Sequence, residues 1–212
     1  MKSRIKSIAI DLMHAIVAGI CISIGGAVYF SCPSKLLGSF LFGVGLCAIL
    51  FFKLLLYTGR VGYLPANKLS YLGWLGLVWV GNCFGAWLGA ILQKTTRIGD
   101  SLVSAAENAV AVKSADSLLS LFVLSIFCGI MMYVAAEGTR RTPYGSTFQL
   151  ALVLLPVAVF IFCGFEHCIA DVYFYALTGF SWDALLRILV ITAGNSIGSI
   201  LLHLFVSHHE PA

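Results

Sequence analysis

The sequence predicts an all-α integral membrane protein with six transmembrane helices, arranged as an inverted three-helix repeat in which the second and fifth helices are broken. Composition is the first observation: 60% of the 212 residues are apolar, only 10% are charged, and the mean hydropathy is +0.98. Soluble domains carry about 25% charged residues. The other two observations are the number of long apolar segments and a short motif that occurs twice. The length fits a single domain, residues 1–212.

Six apolar segments are long enough to cross a bilayer, which takes roughly 20 residues. The first follows a basic start, MKSRIK, and could be mistaken for a signal peptide, but it continues to Phe30 and has no clear cleavage site. We therefore expect it to be retained as the first helix. The six predicted spans are residues 8–30, 36–57, 71–92, 118–136, 148–178 and 184–206.

The fifth span is too long for one straight helix and contains three ionisable residues, Glu166, His167 and Asp171. We predict two half-helices, about 148–162 and 168–178, joined by irregular backbone. The second span is followed by YTGRVGYLP, whose glycines and proline indicate another interruption. Irregular backbone at membrane depth is tolerated only where protein buries it or a water-filled cavity lines it. Two broken spans therefore indicate a pathway through the protein.

A glycine–asparagine motif recurs late in the third and sixth spans, as GNCFGAWLGAIL and GNSIGSILLHLF. An odd number of spans in each half forces the halves into opposite orientations, the inverted repeat common in transporters and channels. We place the repeats at about 8–92 and 118–206, joined by a polar surface helix within 94–117. Glycines at this spacing also serve ordinary helix packing. The amides of Asn82 and Asn195 need partners in a bilayer, and a nearby helix break would supply them.

Basic residues in the short loops set the predicted orientation. With the N-terminus in the cytoplasm, more lysines and arginines fall inside than outside, which favours both termini in the cytoplasm. We expect a multi-pass protein of a bacterial cytoplasmic (inner) membrane, in contact with lipid. The predicted inner residues are Lys2, Arg4, Lys6, Arg60, Lys68, Arg140 and Arg141, and the outer ones are Lys35, Lys94, Arg97 and Lys113.

Several functions are disfavoured by what the sequence lacks. The net charge of +4 is small and forms no basic stripe, so we expect no nucleic-acid partner. The seven cysteines form no CxxC pair and HEXXH spacing is absent, so we expect no metal, no cofactor and no enzymatic activity. Three alternatives to an ion pathway stay open: a membrane-embedded enzyme that uses Glu166 and His167, an assembly protein, and a channel for small neutral solutes such as water or ammonia.

Five stretches together resemble the formate/nitrite transporter family. GFEHCIADVYFYALTG is similar to the family's fifth-helix signature, and the two GN motifs are similar to its third- and sixth-helix motifs. LLYTG and GSFLFGVGL resemble its loop and its second helix. The resemblance covers nearly the whole chain. It implies a homopentamer of aquaporin-like six-helix protomers, each conducting a small monovalent anion such as formate, nitrite or hydrosulfide, in some members together with a proton.

The resemblance also implies roles for individual residues. His167 matches the central pore histidine, and Thr58 matches the loop threonine that hydrogen-bonds to it. Glu166 matches the carboxylate that holds the broken helix, and Lys113 is a looser match to the lysine that attracts anions at the outer mouth. Phe42, Leu46, Tyr57 and Phe160 match the apolar constrictions, and Asn82 and Asn195 match the asparagines of the GN motifs.

Four positions depart from the family's pattern. Leu55 replaces the acidic loop residue, Tyr133 replaces the fourth-helix asparagine, and Asp171 stands where asparagine is usual. Lys53 stands where the family has a small residue. Three interpretations of it are open: it extends to an interface, it forms a buried pair with Glu166 or Asp171, or it adds positive charge to the pore. These departures leave the transport class intact and the preferred anion open.

The residues themselves favour anion passage at His167. An ionised group deep in a bilayer is costly unless it is paired or hydrated, so intramembrane charges are candidates for function. Glu166 and His167 point about 100° apart on a helix, so one can line a pathway while the other anchors structure. A half-helix that begins at His167 would direct free N–H groups at the pathway. Because histidine titrates near neutral pH, His167 is a candidate to relay a proton.

Overall fold

The structure is a computed structural model that describes residues 2–141 and 145–207. All regular elements in this part of the chain are helical. Two short 3-10 helices, Tyr57–Gly59 and Val61–Ala66, lie between the third and fourth α-helices. The α-helices are α1 (Lys2–Ser31), α2 (Lys35–Leu41), α3 (Gly43–Phe51), α4 (Ser70–Lys94), α5 (Gly99–Ala115), α6 (Leu118–Arg141), α7 (Ser146–Cys163), α8 (Cys168–Thr178) and α9 (Trp182–Ser207).

Four described helices, α1, α4, α6 and α9, are long and apolar enough to cross a membrane. The predicted first, third, fourth and sixth spans lie within them. The helices α7 and α8 make a fifth candidate, because they pass the same test together across a break with a 52° bend. The break falls between Cys163 and Cys168, where the sequence predicts the junction of two half-helices.

The helical part of the second span is shorter than the predicted range, 36–57. Its helical part is α2 and α3, which meet at Phe42 and end at Phe51. Together they form a short apolar helix, Lys35–Phe51, and the chain then continues as irregular backbone to the first 3-10 helix. The prediction placed the end of the second helix too late in the sequence, because no glycine follows Phe51 to indicate a helix C-terminus.

The two helices that precede the breaks, α3 and α7, end in the same way. Lys53 and Gly164 both have left-handed backbones, with φ of 55° and 74°. Each follows a helix end with the two hydrogen bonds of a Schellman motif. A lysine in this conformation is strained, since a left-handed backbone costs a residue with a Cβ about 1–2 kcal/mol. The bonds are Leu54 N–H to Ile49 O (2.9 Å) and Lys53 N–H to Leu50 O (3.2 Å), and Phe165 N–H to Phe160 O (2.8 Å) and Gly164 N–H to Ile161 O (3.2 Å).

Asn82 on α4 joins the irregular segment after α3 to α1. Its side-chain oxygen accepts a hydrogen bond from the Tyr57 N–H (2.7 Å). Its amide nitrogen donates to the carbonyls of Ala15 (2.8 Å) and Leu55 (2.7 Å). Asn82 is fully buried, and the segment it holds has no helical ladder to satisfy these groups. The side chain therefore supplies the partners that an interrupted helix lacks in an apolar medium.

Asn195 on α9 makes the equivalent set of contacts at the second break. Its side-chain oxygen accepts from the Cys168 N–H (3.0 Å). Its amide nitrogen donates to the carbonyls of Ser125 on α6 (2.8 Å) and Glu166 (2.8 Å). Both motif asparagines thus bind two backbone groups of a break and one carbonyl of a neighbouring long helix.

The glycines of the two motifs let long helices touch through their backbones. The helix α1 packs along α4, and α6 packs along α9. A Cβ added at Gly85 would lie 2.0 Å from the Ile16 carbonyl oxygen, and one at Gly198 would lie 2.0 Å from that of Ile126. The motif glycines therefore serve helix packing, and the close approach of the helices also brings each motif asparagine within hydrogen-bonding distance of the neighbouring helix. The set of three hydrogen bonds that each asparagine makes is called the asparagine clamp.

The helix α5 lies within the predicted surface segment 94–117 and packs against α8. It leads directly into α6, whose N-terminus is capped by Ser117: the Ser117 hydroxyl accepts from the Ser120 N–H (3.1 Å). Docking on α8 brings α5 next to the break between α7 and α8.

Replacing Asn195 with alanine removes three hydrogen bonds and leaves buried backbone groups unpaired. At about 1 kcal/mol for each bond, Asn195→Ala should lower the free energy of unfolding by roughly 3 kcal/mol. Thermal and denaturant unfolding of the purified full-length protein in detergent measures this change. Asn67→Ala is the matched control, because Asn67 is exposed and donates to only one carbonyl, that of Tyr63. Equal losses in the two variants would contradict the clamp.

Candidate functional site

His167 lies at the break between α7 and α8, where it caps the N-terminus of α8 and is 2% exposed. Its Nδ1 accepts a hydrogen bond from the Ala170 N–H (3.1 Å), and its Nε2 lies 3.0 Å from the Thr58 hydroxyl oxygen. Because Nδ1 is an acceptor, a neutral ring carries its proton on Nε2 and donates it to Thr58. This contact joins the two irregular segments, and it leaves the Thr58 hydroxyl proton free to be donated elsewhere.

Aromatic side chains pack against the His167 ring. Phe160 stacks on it with 5.7 Å between ring centroids, and Phe42 packs edge-on against Phe160 at 6.2 Å. Both phenylalanines are almost fully buried. A bare charge is penalised in such surroundings because water is not there to solvate it. The two rings, called here the aromatic barrier, therefore form an apolar layer against His167 in which a strongly hydrated ion is costly.

A cavity of about 440 Å³, the Lys53 cavity, reaches the segment that carries Thr58. Leu56 and Gly59, which flank the Tyr57–Thr58 pair, are part of its wall. Three cationic side chains line it, and no carboxylate among the described residues does. These are Lys53, Arg60 and Arg140, and Leu46 contributes an apolar part of the wall.

A second cavity, the Lys113 cavity, has a volume of about 230 Å³ and is lined by His167 itself. Phe160 contributes to the same wall, so the aromatic barrier borders this cavity. Its charged lining residues are Lys35, Lys113, Glu166 and Asp171. His167 therefore faces one cavity while its partner Thr58 belongs to the segment that lines the other.

Lys113 pairs with two carboxylates. Its ammonium contacts Glu166, and it lies 2.9 Å from Asp171 Oδ1. The Lys113 side chain is only 12% exposed and that of Asp171 is 1% exposed. Burial lowers the pKa of Lys113, but Asp171 and Glu166 raise it more, so that the net shift is above the ordinary value. The lysine is therefore a charged member of a compact group rather than a free cation at a mouth.

Arg187 fixes the end of the helix that carries Lys113. Its guanidinium donates from Nη1 to the carbonyls of Lys113 (2.9 Å) and Asp116 (2.8 Å). It also pairs with Asp183 one helical turn earlier on α9 (2.6 Å). These contacts satisfy carbonyls at the C-terminus of α5, where a cation is favoured, and they hold Lys113 over the break.

Tyr57 is placed differently from its predicted role in a constriction. Its hydroxyl hydrogen-bonds to the Ser196 hydroxyl on α9 (2.9 Å), and its backbone N–H bonds to Asn82. Leu56 takes the place at the Lys53 cavity instead. The sequence could not separate the two neighbours, because the direction of each side chain depends on the irregular backbone. Of the other predicted constriction residues, Leu46 lines the Lys53 cavity, and Phe42 and Phe160 belong to the aromatic barrier.

Lys53 is exposed and lines the Lys53 cavity. The interpretation in which Lys53 pairs with Glu166 or Asp171 is wrong, because those carboxylates line the other cavity and contact Lys113. The two other interpretations stay open: that Lys53 extends to an interface, and that it adds positive charge to the pore.

A polar cluster between the second 3-10 helix, α6 and α9 was missed in the sequence. The Tyr133 hydroxyl hydrogen-bonds to His203 Nδ1 (3.0 Å), and the Tyr63 hydroxyl donates to Glu137. The Arg140 guanidinium lies 4.8 Å from the centre of the Tyr63 ring. The signal was the departure at Tyr133 together with a histidine and a glutamate in otherwise apolar spans. The cluster fastens the end of the irregular segment.

The side chains present offer hydrogen bonds and charge rather than a metal centre. In the part of the chain that the structure describes, no group of three or more His, Cys, Asp or Glu side chains is placed to hold a metal ion. The cysteines are free thiols. The side chains at the break therefore present hydrogen-bonding groups, charges and an apolar surface to a small polar species.

Comparison with known proteins adds the family. A family model described as formate/nitrite transporter matches residues 2–209. The chain belongs to the formate/nitrite transporter family. The membership predicted from the sequence motifs is thus confirmed, and with it the class of a multi-pass, all-α membrane protein.

One curated relative in the formate/nitrite transporter family is the formate channel FocA of Haemophilus influenzae, which is 24% identical over 191 residues. The matched region covers 77% of this chain and 64% of that relative, so this chain spans less than two thirds of its length.

Two solved structures have the same fold. A pentameric formate channel with formate bound has a TM-score of 0.82 at 24% identity, covering 96% of this chain and 97% of that one. An FNT family ion channel has a TM-score of 0.80 at 23% identity, covering 94% and 90%. At this level of identity the likeness shows that the chain folds as these channels do.

Removal of Lys113 leaves two buried carboxyl groups without their cation. Breaking a buried ion pair by deleting one partner costs roughly 3–5 kcal/mol, and Lys113→Met should lower the free energy of unfolding by about that amount. Thermal unfolding of the full-length protein in detergent measures it. Lys94→Met is the control, because Lys94 is exposed at the end of α4. A Lys113→Met protein as stable as the control would show that the lysine does not hold the break.

Proposed function

We propose that the protein is a channel or transporter for small monovalent anions such as formate, nitrite or hydrosulfide, and not an enzyme. The observation that carries this is the position of His167. The His167 ring contacts the Thr58 hydroxyl, whose proton is free to be donated, and Phe160 of the aromatic barrier stacks on the ring. A cavity with cationic lining residues lies on either side of the His167–Thr58 contact. Formate is the first anion to test, because the curated relative is a formate channel.

We further propose that residues 1–212 form one domain with six spans, as an inverted repeat that assembles into a homopentamer. The two asparagine clamps support the repeat, since Asn82 holds Leu55 and Tyr57 as Asn195 holds Glu166 and Cys168. The pentameric state of a formate channel with the same fold supports the assembly.

The proposed orientation puts both termini in the cytoplasm of a bacterial cell, with the protein in the cytoplasmic membrane. The grouping of basic residues supports it. Arg60 and Arg140, predicted inside, share the Lys53 cavity, whereas Lys35 and Lys113, predicted outside, share the Lys113 cavity. The Lys53 cavity is then the inner vestibule.

Passage begins with electrostatic attraction. Three cations without a carboxylate in the described lining concentrate anions in the Lys53 cavity, because a low-dielectric wall focuses their field. The anion next meets the barrier of Phe42 and Phe160. There the Thr58 hydroxyl, whose oxygen accepts from the neutral His167 ring, offers its own proton in place of water, and this lowers the cost of desolvation for a weakly hydrated anion.

Proton relay at His167 stays a prediction, and the geometry makes it costly. A charged ring carries a proton on Nδ1 as well as on Nε2. Nδ1 could then no longer accept the hydrogen bond from the Ala170 N–H, and two N–H groups would face one another. The cap of α8 would be lost each time the ring is charged. A proton that accompanies the anion is more cheaply held elsewhere in the same cavity.

Flux through proteoliposomes tests the proposed function. We expect uptake of formate by the reconstituted full-length protein. We expect a ten- to hundredfold lower rate in His167→Leu, because Thr58 then loses the contact that orients its hydroxyl toward the anion, and one hydrogen bond to a charged species contributes about 1.5–3 kcal/mol. His14→Leu is the control, because His14 is exposed on α1. Uptake of neutral solutes alone, with no anion uptake, would instead establish the neutral-solute channel.

Two variants of Lys53 separate its charge from its backbone strain. Lys53→Met removes the charge and keeps a Cβ in the left-handed conformation, whereas Lys53→Gly removes both. We expect both to reduce anion uptake, and only Lys53→Gly to raise the free energy of unfolding, by about 1 kcal/mol. Unfolding in detergent and flux in liposomes measure the two effects. Unchanged uptake in both variants would rule out a role for the lysine in the vestibule.

A further inference from the structure

Two carboxyl groups share one cation at the break between α7 and α8. Glu166 and Asp171 both contact the ammonium of Lys113, so the group carries one more negative charge than positive if both acids are ionised. Because both contact the same ammonium nitrogen, the two carboxyl groups lie next to one another. Two carboxylates that share a buried site do not both ionise easily, because each disfavours the charge on the other.

Among the described residues no second cation pairs with these acids, because Lys35, which lines the same cavity, is exposed and its ammonium lies 5.4 Å from the centre of the Phe162 ring. Asp171 is 1% exposed, and its Oδ2 has no hydrogen-bond partner among the described residues. The Lys113 ammonium from α5 contacts Asp171, and His167 lines the same cavity. Its other titratable neighbours are the Cys128 thiol from α6 and, on its own helix α8, the Cys168 thiol and the Tyr175 hydroxyl. Arg187 on α9 is engaged by Asp183 and by two carbonyls. An ionised Asp171 would thus leave a bare carboxylate oxygen in a buried site, which is costly.

We propose that the Glu166–Asp171 pair holds one proton at neutral pH, carried by Asp171 as a neutral carboxylic acid, and that Lys113 balances the ionised Glu166. The proton satisfies the charge balance of the group, since one ammonium then faces one carboxylate. It also gives Asp171 a donor of its own. The family pattern has asparagine at this position, so the proton-holding acid belongs to this chain's departure from that pattern.

The held proton gives the Lys113 cavity an acid beside the barrier, and this step rests on the proposed function. An anion of a weak acid in the cavity takes the proton from the Asp171 carboxyl group, which leaves a neutral acid and an ionised Asp171. The neutral acid passes the aromatic barrier without the cost of a bare charge. Asp171 then regains a proton from water on the same side. Each cycle moves one proton with one anion, so weak acids are favoured over anions of strong acids.

Infrared spectroscopy tests the protonation without any flux measurement. Exposed aspartate and glutamate are ionised at pH 7, so the carbonyl stretch of a protonated carboxylic acid reports only on held protons. The sample is the full-length protein in a maltoside detergent, which has no ester carbonyl of its own. We expect wild type to show a band that is lost in Asp171→Asn. We also expect its loss in Glu166→Gln, because Lys113 then balances the remaining carboxylate alone.

Controls make each outcome decisive. Glu107→Gln, at an exposed position on α5, should keep the band, and thermal unfolding shows whether each variant is folded. Identical spectra for wild type and a folded Asp171→Asn would overturn the proposal, as would a band lost in Glu166→Gln alone. If Asp171→Asn fails to fold, a band retained in Glu166→Gln overturns it.

A flux assay then separates this proposal from the proposed function. With a dye that reports internal pH, formate uptake by wild type should acidify the vesicle, and Asp171→Asn should lose most of this acidification. If wild type carries no anion at all, the proposed function fails, while the infrared result still decides where the proton is held. If anion uptake and acidification are unchanged in Asp171→Asn, the pair is not the donor.

Discussion

Every interruption of a membrane helix exposes backbone N–H and C=O groups that have no water to bond in an apolar medium. This constraint governs the two breaks of the chain. The side chains of Asn82 and Asn195 each accept one hydrogen bond and donate two. In both cases two of the three partners are backbone groups of the break. The close approach of α1 to α4 and of α6 to α9 is what brings the asparagines within reach. The close packing of the long helices is therefore what allows the asparagines to satisfy the backbone groups of the breaks.

The two breaks share their asparagine contacts to the backbone and differ in the side chains that they carry. At the first break the clamped carbonyl belongs to Leu55 and the next residue is Leu56, which lines a cavity with an apolar side chain. At the second break the clamped carbonyl belongs to Glu166 and the next residue is His167, which caps α8 and reaches across to Thr58. One break thus supplies an apolar wall and a hydroxyl, and the other supplies the ionisable groups.

What the sequence predicted correctly depends on neighbours along the chain. Apolar length defines the four long helices, and the charged trio marks the break between α7 and α8. Features that depend on how distant segments meet were out of reach. The end of α3 rests on a left-handed lysine, where glycine is the usual signal. The pairing of Lys113 with both acids requires α5 to dock on α8 and Arg187 to hold its end, and the preference for Leu56 over Tyr57 in the cavity wall follows from an irregular backbone.

The two cavities differ in how their positive charge is used. In the Lys53 cavity three cations lack a carboxylate in the described lining, so in the proposed channel their field would act directly on an entering anion. In the Lys113 cavity the lysine is taken up by the acids at the break, and its field on an anion is largely cancelled. Attraction therefore acts mainly from one side of His167. On the other side, the proton that we propose on the Glu166–Asp171 pair would assist passage in a different way, since a neutral acid crosses the barrier at lower cost than its anion.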